Sequence, residues 1–235
     1  MRRGSIVRIT IYGVLAGILA STVAVLVPWL PTSASEEMDR IEFTFWFTTV
    51  ICIAVFSVVA AAIIYSILNF RVQPEDESDG PPIHGHTGLE IAWTAVPAII
   101  VIALGIVSAV VMSENGNASA NALQVTAIGQ QFAWKFEYPE QGDFQSGELV
   151  LPVNQQTQFT MEAVDVIHSF WVPSFGQKMD AVPGIETKIL VTPTRTGEFA
   201  VVCAELCGLG HATMRAKARV VTRAEFDKWI EEQRT

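Results

Sequence analysis

Residues 201–215 read VVCAELCGLGHATMR, which sets Cys203 and Cys207 four apart, His211 four further on and Met214 three beyond that. The whole chain has only three cysteines and four histidines, so this gathering of ligand-type side chains is selective. The C-terminal half holds one other histidine, His168, in DVIHSFWVP. Two thiolates, two imidazoles and a thioether form a soft donor set that selects copper or zinc and disfavours magnesium or calcium. A Cys203–Cys207 disulfide, which an address outside the cytoplasm permits, would leave both histidines and the methionine without a role. A structural zinc site of two Cys and two His is chemically sound, but the long gap from His168 to Cys203 is unlike compact zinc spacings, and Met214 stays idle. A copper electron-transfer site uses every donor: thiolate for covalency, imidazoles in the plane and a weak thioether on the axis. A mononuclear site needs only Cys207, His211, Met214 and His168. The additional Cys203 allows two thiolates to bridge a pair of copper ions. An electron spread over both metals then changes each bond length little on transfer. On the ligand set alone, a single-copper carrier and a copper-delivery protein remain alternatives.

The elements that must position these donors read as β structure. ALQVTAIG, FAWKFEY, GELVLPV, QTQFTMEAV, TKILVTPT, GEFAVVCA and MRAKARVVT are short alternating or β-branched runs separated by Gly, Pro and Asn. Their spacing predicts an antiparallel sandwich or a Greek-key barrel. Cys203 ends one such run, and CGLGH makes a Gly-rich turn before the next begins near Met214, so the donors on that loop can face one side. Gly and Pro in VPSFGQKMDAVPG predict a loop, and only the tail RAEFDKWIEEQRT has helical spacing.

Half of the 235 residues are hydrophobic, more than a soluble domain of this size requires, and three uncharged runs account for the excess: 9–30, 43–70 and 91–112. Each is long enough to cross a hydrocarbon core, which takes ~20 apolar residues. The first follows MRRGSIVR and precedes PTSAS, whose small residues suit cleavage, so 1–35 is either a signal peptide or a further membrane helix. Residues 36–112 form a helical hairpin, and 113–235 form the extracytoplasmic domain. Arg2, Arg3 and Arg8 hold a retained N-terminus in the cytoplasm, and Arg71 marks the cytoplasmic end of the second run; either history leaves the C-terminal domain outside the plasma membrane. The connecting loop RVQPEDESDGPPIHGHTG reads as a turn, where His84 and His86 are solvated rather than metal-bound. Glu90 stands at the edge of the next helix, as an ordinary interfacial acid or the mouth of a proton route. Cys52, mid-span, reads as a small buried apolar residue.

C-A-E-L-C-G-L-G-H-A-T-M, with HSFWVP upstream and two membrane helices before it, closely resembles subunit II of haem-copper cytochrome c oxidase. The resemblance runs over about 42–221. It implies a cupredoxin-like Greek-key β-sandwich holding a dinuclear copper centre, with Cys203 and Cys207 bridging, His168 and His211 terminal, and Met214 axial to one copper. Glu205 would bind the other copper through its backbone carbonyl, while its side chain reaches a magnesium shared with subunit I. LEIAWTAVPA resembles the start of the family's second helix, where the acid at the Glu90 position lies at a proton-channel entrance. GQQFAWKFEY resembles the aromatic stretch over the copper site. Trp134 and Tyr138 match, whereas Phe132 stands where a tryptophan, the usual electron entry point, is expected, so either electrons come in at Phe132, Trp134 or a neighbour, or these aromatics simply pack. KMDAVPG resembles a loop that places Asp180 near the subunit I border, with Ile185 replacing a frequent arginine. The implied function is acceptance of electrons from cytochrome c and delivery to the haem of subunit I, where oxygen is reduced to water with proton pumping. Implied partners are subunit I, other oxidase subunits, cytochrome c and membrane lipid.

From 113 onward the chain carries 15 acidic against 10 basic side chains, a net charge of −5. A negative face attracts a basic protein partner. The whole chain, at −9, lacks the basic footprint of a nucleic-acid binder. No C-x-x-C-H occurs, so a donor haem is not fused to this chain.

Overall fold

A computed structural model of the chain describes residues 3–71, 75, 79–80 and 82–234. Arg2 and much of the loop over 71–88 lie outside the described residues. Two compact units emerge, one of Met1–Trp29 with Thr44–Ala109, the other of Leu30–Phe43 with Val110–Thr235.

The first unit is built from α1 (Arg3–Leu26), the main part of α2 (Glu36–Asn69) and α3 (Thr87–Asn115). All three helices are long and apolar enough to cross a membrane, and no residue of α3 is buried, which suits a hydrocarbon solvent. Helix α1 approaches α2 closely at Gly13 and Gly17, a G-x-x-x-G pair. A Cβ on Gly13 would lie 3.5 Å from that of Ala61, and one on Gly17 would lie 3.0 Å from Ser57 Oγ. Small residues at this spacing let two membrane helices come into backbone contact. Near one end, Arg8 donates to Asn69 Oδ1 at 3.2 Å.

Helix α2 starts at Glu36, ahead of the apolar run at 43, because its first turn belongs to the second unit. The Ser35 hydroxyl accepts from Met38 N–H at 3.0 Å, capping the helix, and Glu36, Glu37 and Asp39 complement the positive end of its dipole. Glu37 is 2 % exposed, and its carboxylate accepts from Thr192 N–H at 2.8 Å and the Thr192 hydroxyl at 3.1 Å. Ala34 N–H donates to Ser174 O, and Ala34 O accepts from Thr194 N–H, both at 2.9 Å. Residues 34–38 are therefore stitched into the β unit. Glu37→Ala orphans two buried donors on Thr192, so a loss of about 1–3 kcal/mol is expected. Thermal unfolding of the solubilised chain measures it, and an unchanged midpoint would show that the clamp contributes nothing.

The β unit consists of β1 (Leu123–Gln130), β2 (Ala133–Tyr138), β3 (Phe144–Ser146), β4 (Glu148–Pro152), β5 (Thr157–Ala163), β6 (His168–Trp171), β7 (Lys178–Ala181), β8 (Thr187–Val191), β9 (Gly197–Cys203) and β10 (Arg215–Val221), followed by α4 (Arg223–Gln233). They form two five-stranded sheets, ordered β3-β2-β1-β5-β8 and β4-β10-β9-β6-β7. Two expectations are corrected. The segment around KMDA is a strand, β7, paired with β6 in the register His168↔Ala181 to Trp171↔Lys178; its Gly and Pro sit outside the strand at both ends. The sandwich is also not wholly antiparallel, since β1 pairs with β5 and β10 with β4 in parallel.

Alternation explains the core. Leu123, Val125 and Ala127 of β1, Trp134, Phe136 and Tyr138 of β2, and Phe159 and Met161 of β5 point inward and are buried, with Phe170, Leu149, Leu151, Val201 and Ala218 from the other sheet. Helix α4 closes the end away from β6. Thr222 and Glu225 form its capping box, and Trp229 packs edge-on to Tyr138 at 5.1 Å. The Tyr138 hydroxyl donates to Val150 O and accepts from Val150 N–H, so burial pushes its ionisation upward without leaving it unpaired.

Candidate metal centre

Strands β6 and β9 are neighbours, with Phe170 opposite Cys203 and Trp171 opposite Val202. His168 lies two residues before Phe170 and therefore faces the core on the same side as Cys203. After Cys203 the chain loops out, makes a single helical turn at His211–Thr213 and returns into β10. Cys203 N–H donates to Met214 O at 3.2 Å, which closes the loop at its base. One strand end and one closed loop thus bring six donor atoms together.

The two sulfurs lie 3.8 Å apart, well beyond disulfide bonding at about 2.05 Å. Each has its own partners. Cys203 Sγ is 3.9 Å from His168 Nδ1 and 3.2 Å from Glu205 O; Cys207 Sγ is 3.6 Å from His211 Nδ1 and 3.7 Å from Met214 Sδ. The ligand atoms of His168, Cys203 and Cys207 all fall within 4.8 Å of one another. His168 and Met214 are fully buried, and both cysteines are buried. Burial, then the neighbouring Cys203 sulfur, pushes the Cys207 thiol up to about 11. A buried thiol whose ionisation is opposed by burial and by a sulfur 3.8 Å away calls for a cation to compensate it. The soft set of sulfur and imidazole nitrogen fits copper.

The surroundings hold the donors in place. His168 Nε2 lies 2.8 Å from Asp165 Oδ1. Partial burial works against the Asp165 carboxylate, but hydrogen bonds from Gln131 N–H, His168 and Val166 N–H outweigh it and hold its pKa down at about 2. Trp134 is buried, with its ring edge-on to His168 at 6.0 Å and to Phe170 at 5.7 Å. Phe132 is 39 % exposed and lies over the ligand loop, where its ring fills the space that side chains on Gly208 and Gly210 would need.

Of the residues singled out in the sequence, His168, Cys203, Cys207, His211, Met214 and the Glu205 carbonyl converge here. The Glu205 side chain is exposed. Asp180 stands on β7 opposite Ser169, and Ile185 is exposed just beyond. Glu90 caps α3 in the first unit, accepting from His86 N–H at 3.1 Å, while His86 Nδ1 accepts from Leu89 N–H at 3.2 Å. His84 is exposed, and Cys52 is exposed on α2. Three residues escaped the sequence reading: Asp165, Gln131 and Gly129. The spacing D-x-x-H was a signal for the first, and the other two lie in GQQFAWKFEY, the stretch already matched to the family's aromatic segment over the copper site.

Residues 21–111 match the family model for the transmembrane domain of cytochrome c oxidase subunit II, and residues 145–221 match that for its periplasmic domain. Cytochrome c oxidase subunit 2 of Synechocystis sp. is 31 % identical over 86 % of this chain and 74 % of its own length; that of Thermostichus vulcanus is 35 % identical over 85 % and 77 %. The chain belongs to the cytochrome c oxidase subunit II family. It is accordingly a subunit of a haem-copper oxidase, an oxidoreductase that works as a complex with other subunits, and its β unit is the family's cupredoxin-like domain of periplasmic type. The crystal structure of the periplasmic domain of subunit II from Bradyrhizobium japonicum is 34 % identical, with a TM-score of 0.48, and the match covers 50 % of this chain and 97 % of that domain. The His168, Cys203 and Cys207 cluster of this subunit II has the chemistry of a copper site.

Proposed function

We propose that this subunit II accepts single electrons from a cytochrome c and passes them to the haem of subunit I, where oxygen is reduced to water with proton pumping. One observation carries the reading: the donor set is doubled, each sulfur having its own imidazole and a third donor of its own. A single copper would use one sulfur and leave half of this arrangement idle. Cys203 and Cys207 would hold two coppers jointly, with His168, His211, Met214 and the Glu205 carbonyl completing the donor set. When bound, the copper pair supplies a one-electron acceptor that releases its electron at little driving force. The protein contributes rigidity and dryness: His168 and Met214 are shut off from solvent, so little rearranges on transfer. Phe132, exposed above the ligand loop, is the aromatic that a donor meets first, while Trp134 supports His168 from inside. The −5 charge of the soluble part favours a basic cytochrome, so the oxidation rate should fall as salt rises.

The exposed Glu205 carboxylate would share a magnesium with subunit I, and Glu90 at the head of α3 would serve as a proton entrance. Within residues 36–112 the apolar runs 43–70 and 91–112 form the membrane hairpin, and 113–235 form the extracytoplasmic cupredoxin domain together with the head of α2. The packing of α1 on α2 supports retention of residues 1–35 as a third plasma-membrane helix in contact with lipid. N-terminal sequencing of protein taken from membranes should then return residues ahead of Leu30, and a start near Ser35 would establish cleavage.

Copper and haem per chain in the purified complex, measured with its cytochrome c oxidation rate, test the function. Two coppers in this subunit, with the spin-resonance pattern of one electron shared by two equivalent nuclei, are expected. One copper, or zinc, would refute the reading. Met214→Leu is expected to keep both coppers, raise the reduction potential and slow transfer, because the thioether is a weak ligand. Loss of all copper would instead make Met214 a structural anchor.

A further inference from the structure

We propose that Asp165 is a positioning residue of this centre, fixing the ring of His168 with one carboxylate oxygen and the turn that covers the Cys207 loop with the other. The inference rests on His168 being a copper ligand, as argued above. Oδ1 faces His168 Nε2 at 2.8 Å, and Oδ2 accepts from Gln131 N–H at 2.8 Å. Oδ1 also accepts from Val166 N–H at 2.7 Å, so two backbone donors aim the carboxylate before any metal arrives. A ring nitrogen facing a carboxylate keeps its proton, which leaves the lone pair on Nδ1. Nδ1 is the atom turned toward Cys203 Sγ. With the ring fully buried, no water can take over the role of the carboxylate.

The second oxygen extends this hold. Gln131 belongs to the turn between β1 and β2, and its side-chain amide donates to Cys207 O. The next residue, Phe132, lies against Gly208 and Gly210 of the ligand loop. One carboxylate thereby links the β5–β6 connection, the β1–β2 turn and the loop bearing Cys207, His211 and Met214. An ordinary surface ion pair would contribute little. This one sets which nitrogen of a buried ring is free to bind metal.

The test uses the full chain in detergent with 15N-labelled histidine, first without metal. In the natural protein the His168 Nε2 proton should resonate far downfield and exchange slowly, being buried against a carboxylate. In Asp165→Asn it should move upfield, and in Asp165→Ala it should be lost to exchange or replaced by a proton on Nδ1. On copper titration, affinity in Asp165→Asn should fall about 10- to 100-fold, and the reduction potential should rise because the imidazole donates less charge. Gln131→Ala should weaken copper binding less and leave the His168 proton in place. The asparagine variant preserves shape and decides the matter if the alanine variant does not fold. An unmoved downfield proton, or natural copper affinity and potential in Asp165→Asn, overturns the proposal. A natural chain that shows the downfield proton but takes up no copper upholds the hold on the ring and refutes the ligand assignment instead.

Discussion

Replacing either Cys203 or Cys207 with serine is expected to abolish the shared-spin copper signal and to lower cytochrome c oxidation by on the order of 100-fold or more, beyond what loss of an outer-shell partner costs. The sulfurs are 3.8 Å apart, and each is the nearest sulfur to a different imidazole, so neither half of the donor set is complete without both. A serine hydroxyl is nearly isosteric but is a hard, neutral oxygen that stays protonated in a buried site, and soft metals discriminate against it. The fold should survive, because Cys203 is anchored by its backbone to Met214 and by strand pairing to Phe170. Copper analysis should return one ion or none per chain, with a four-line pattern where one remains. Cys52→Ser is the internal control: Cys52 is exposed on α2 and should leave the copper spectrum untouched. If Cys203→Ser retained the full two-copper signal, the thiolates would not be shared, and the doubled donor set would need another explanation.

The donors were legible because five of the six sit on one loop, where spacing in sequence translates directly into spacing in space. His168 was legible by chemistry, as the only other histidine in the β unit. What holds them was not. Asp165 reads as one more loop acid until the β5–β6 connection brings it back against His168, and Gln131 acts through a contact 76 positions away. The parallel pairing of β1 with β5 leaves no trace in alternation, which reports only which face is buried. Strand β7 was hidden because Gly176 and Pro183–Gly184 flank a run of only four residues. The start of α2 was misplaced for a related reason. A hydropathy scan rejects Glu37, whereas a buried carboxylate paired with Thr192 belongs to the fold's interior.

Gly129→Ala is expected to damage the centre without touching a ligand. Its Cβ would lie 2.8 Å from His168 Cδ2 and 3.0 Å from Cγ, closer than side-chain carbons pack. Neither side has room to yield. Gly129 is in a strand paired on both flanks, with Trp134 in β2 and Ala163 in β5. The imidazole is fully buried, held at Nε2 by Asp165 and bounded by the Trp134 ring. Overpacking of this kind costs roughly 1–3 kcal/mol, and the strain falls on the side chain that would have to supply Nδ1 to the metal. The melting midpoint should drop by several degrees, and the copper signal should weaken or split as the two ions become inequivalent. Gly147→Ala, where an added Cβ meets nothing within 4 Å, should change neither. A Gly129→Ala protein with the natural midpoint and spectrum would mean that His168 can back away from β1, and that the rigidity assigned to this side of the centre is absent.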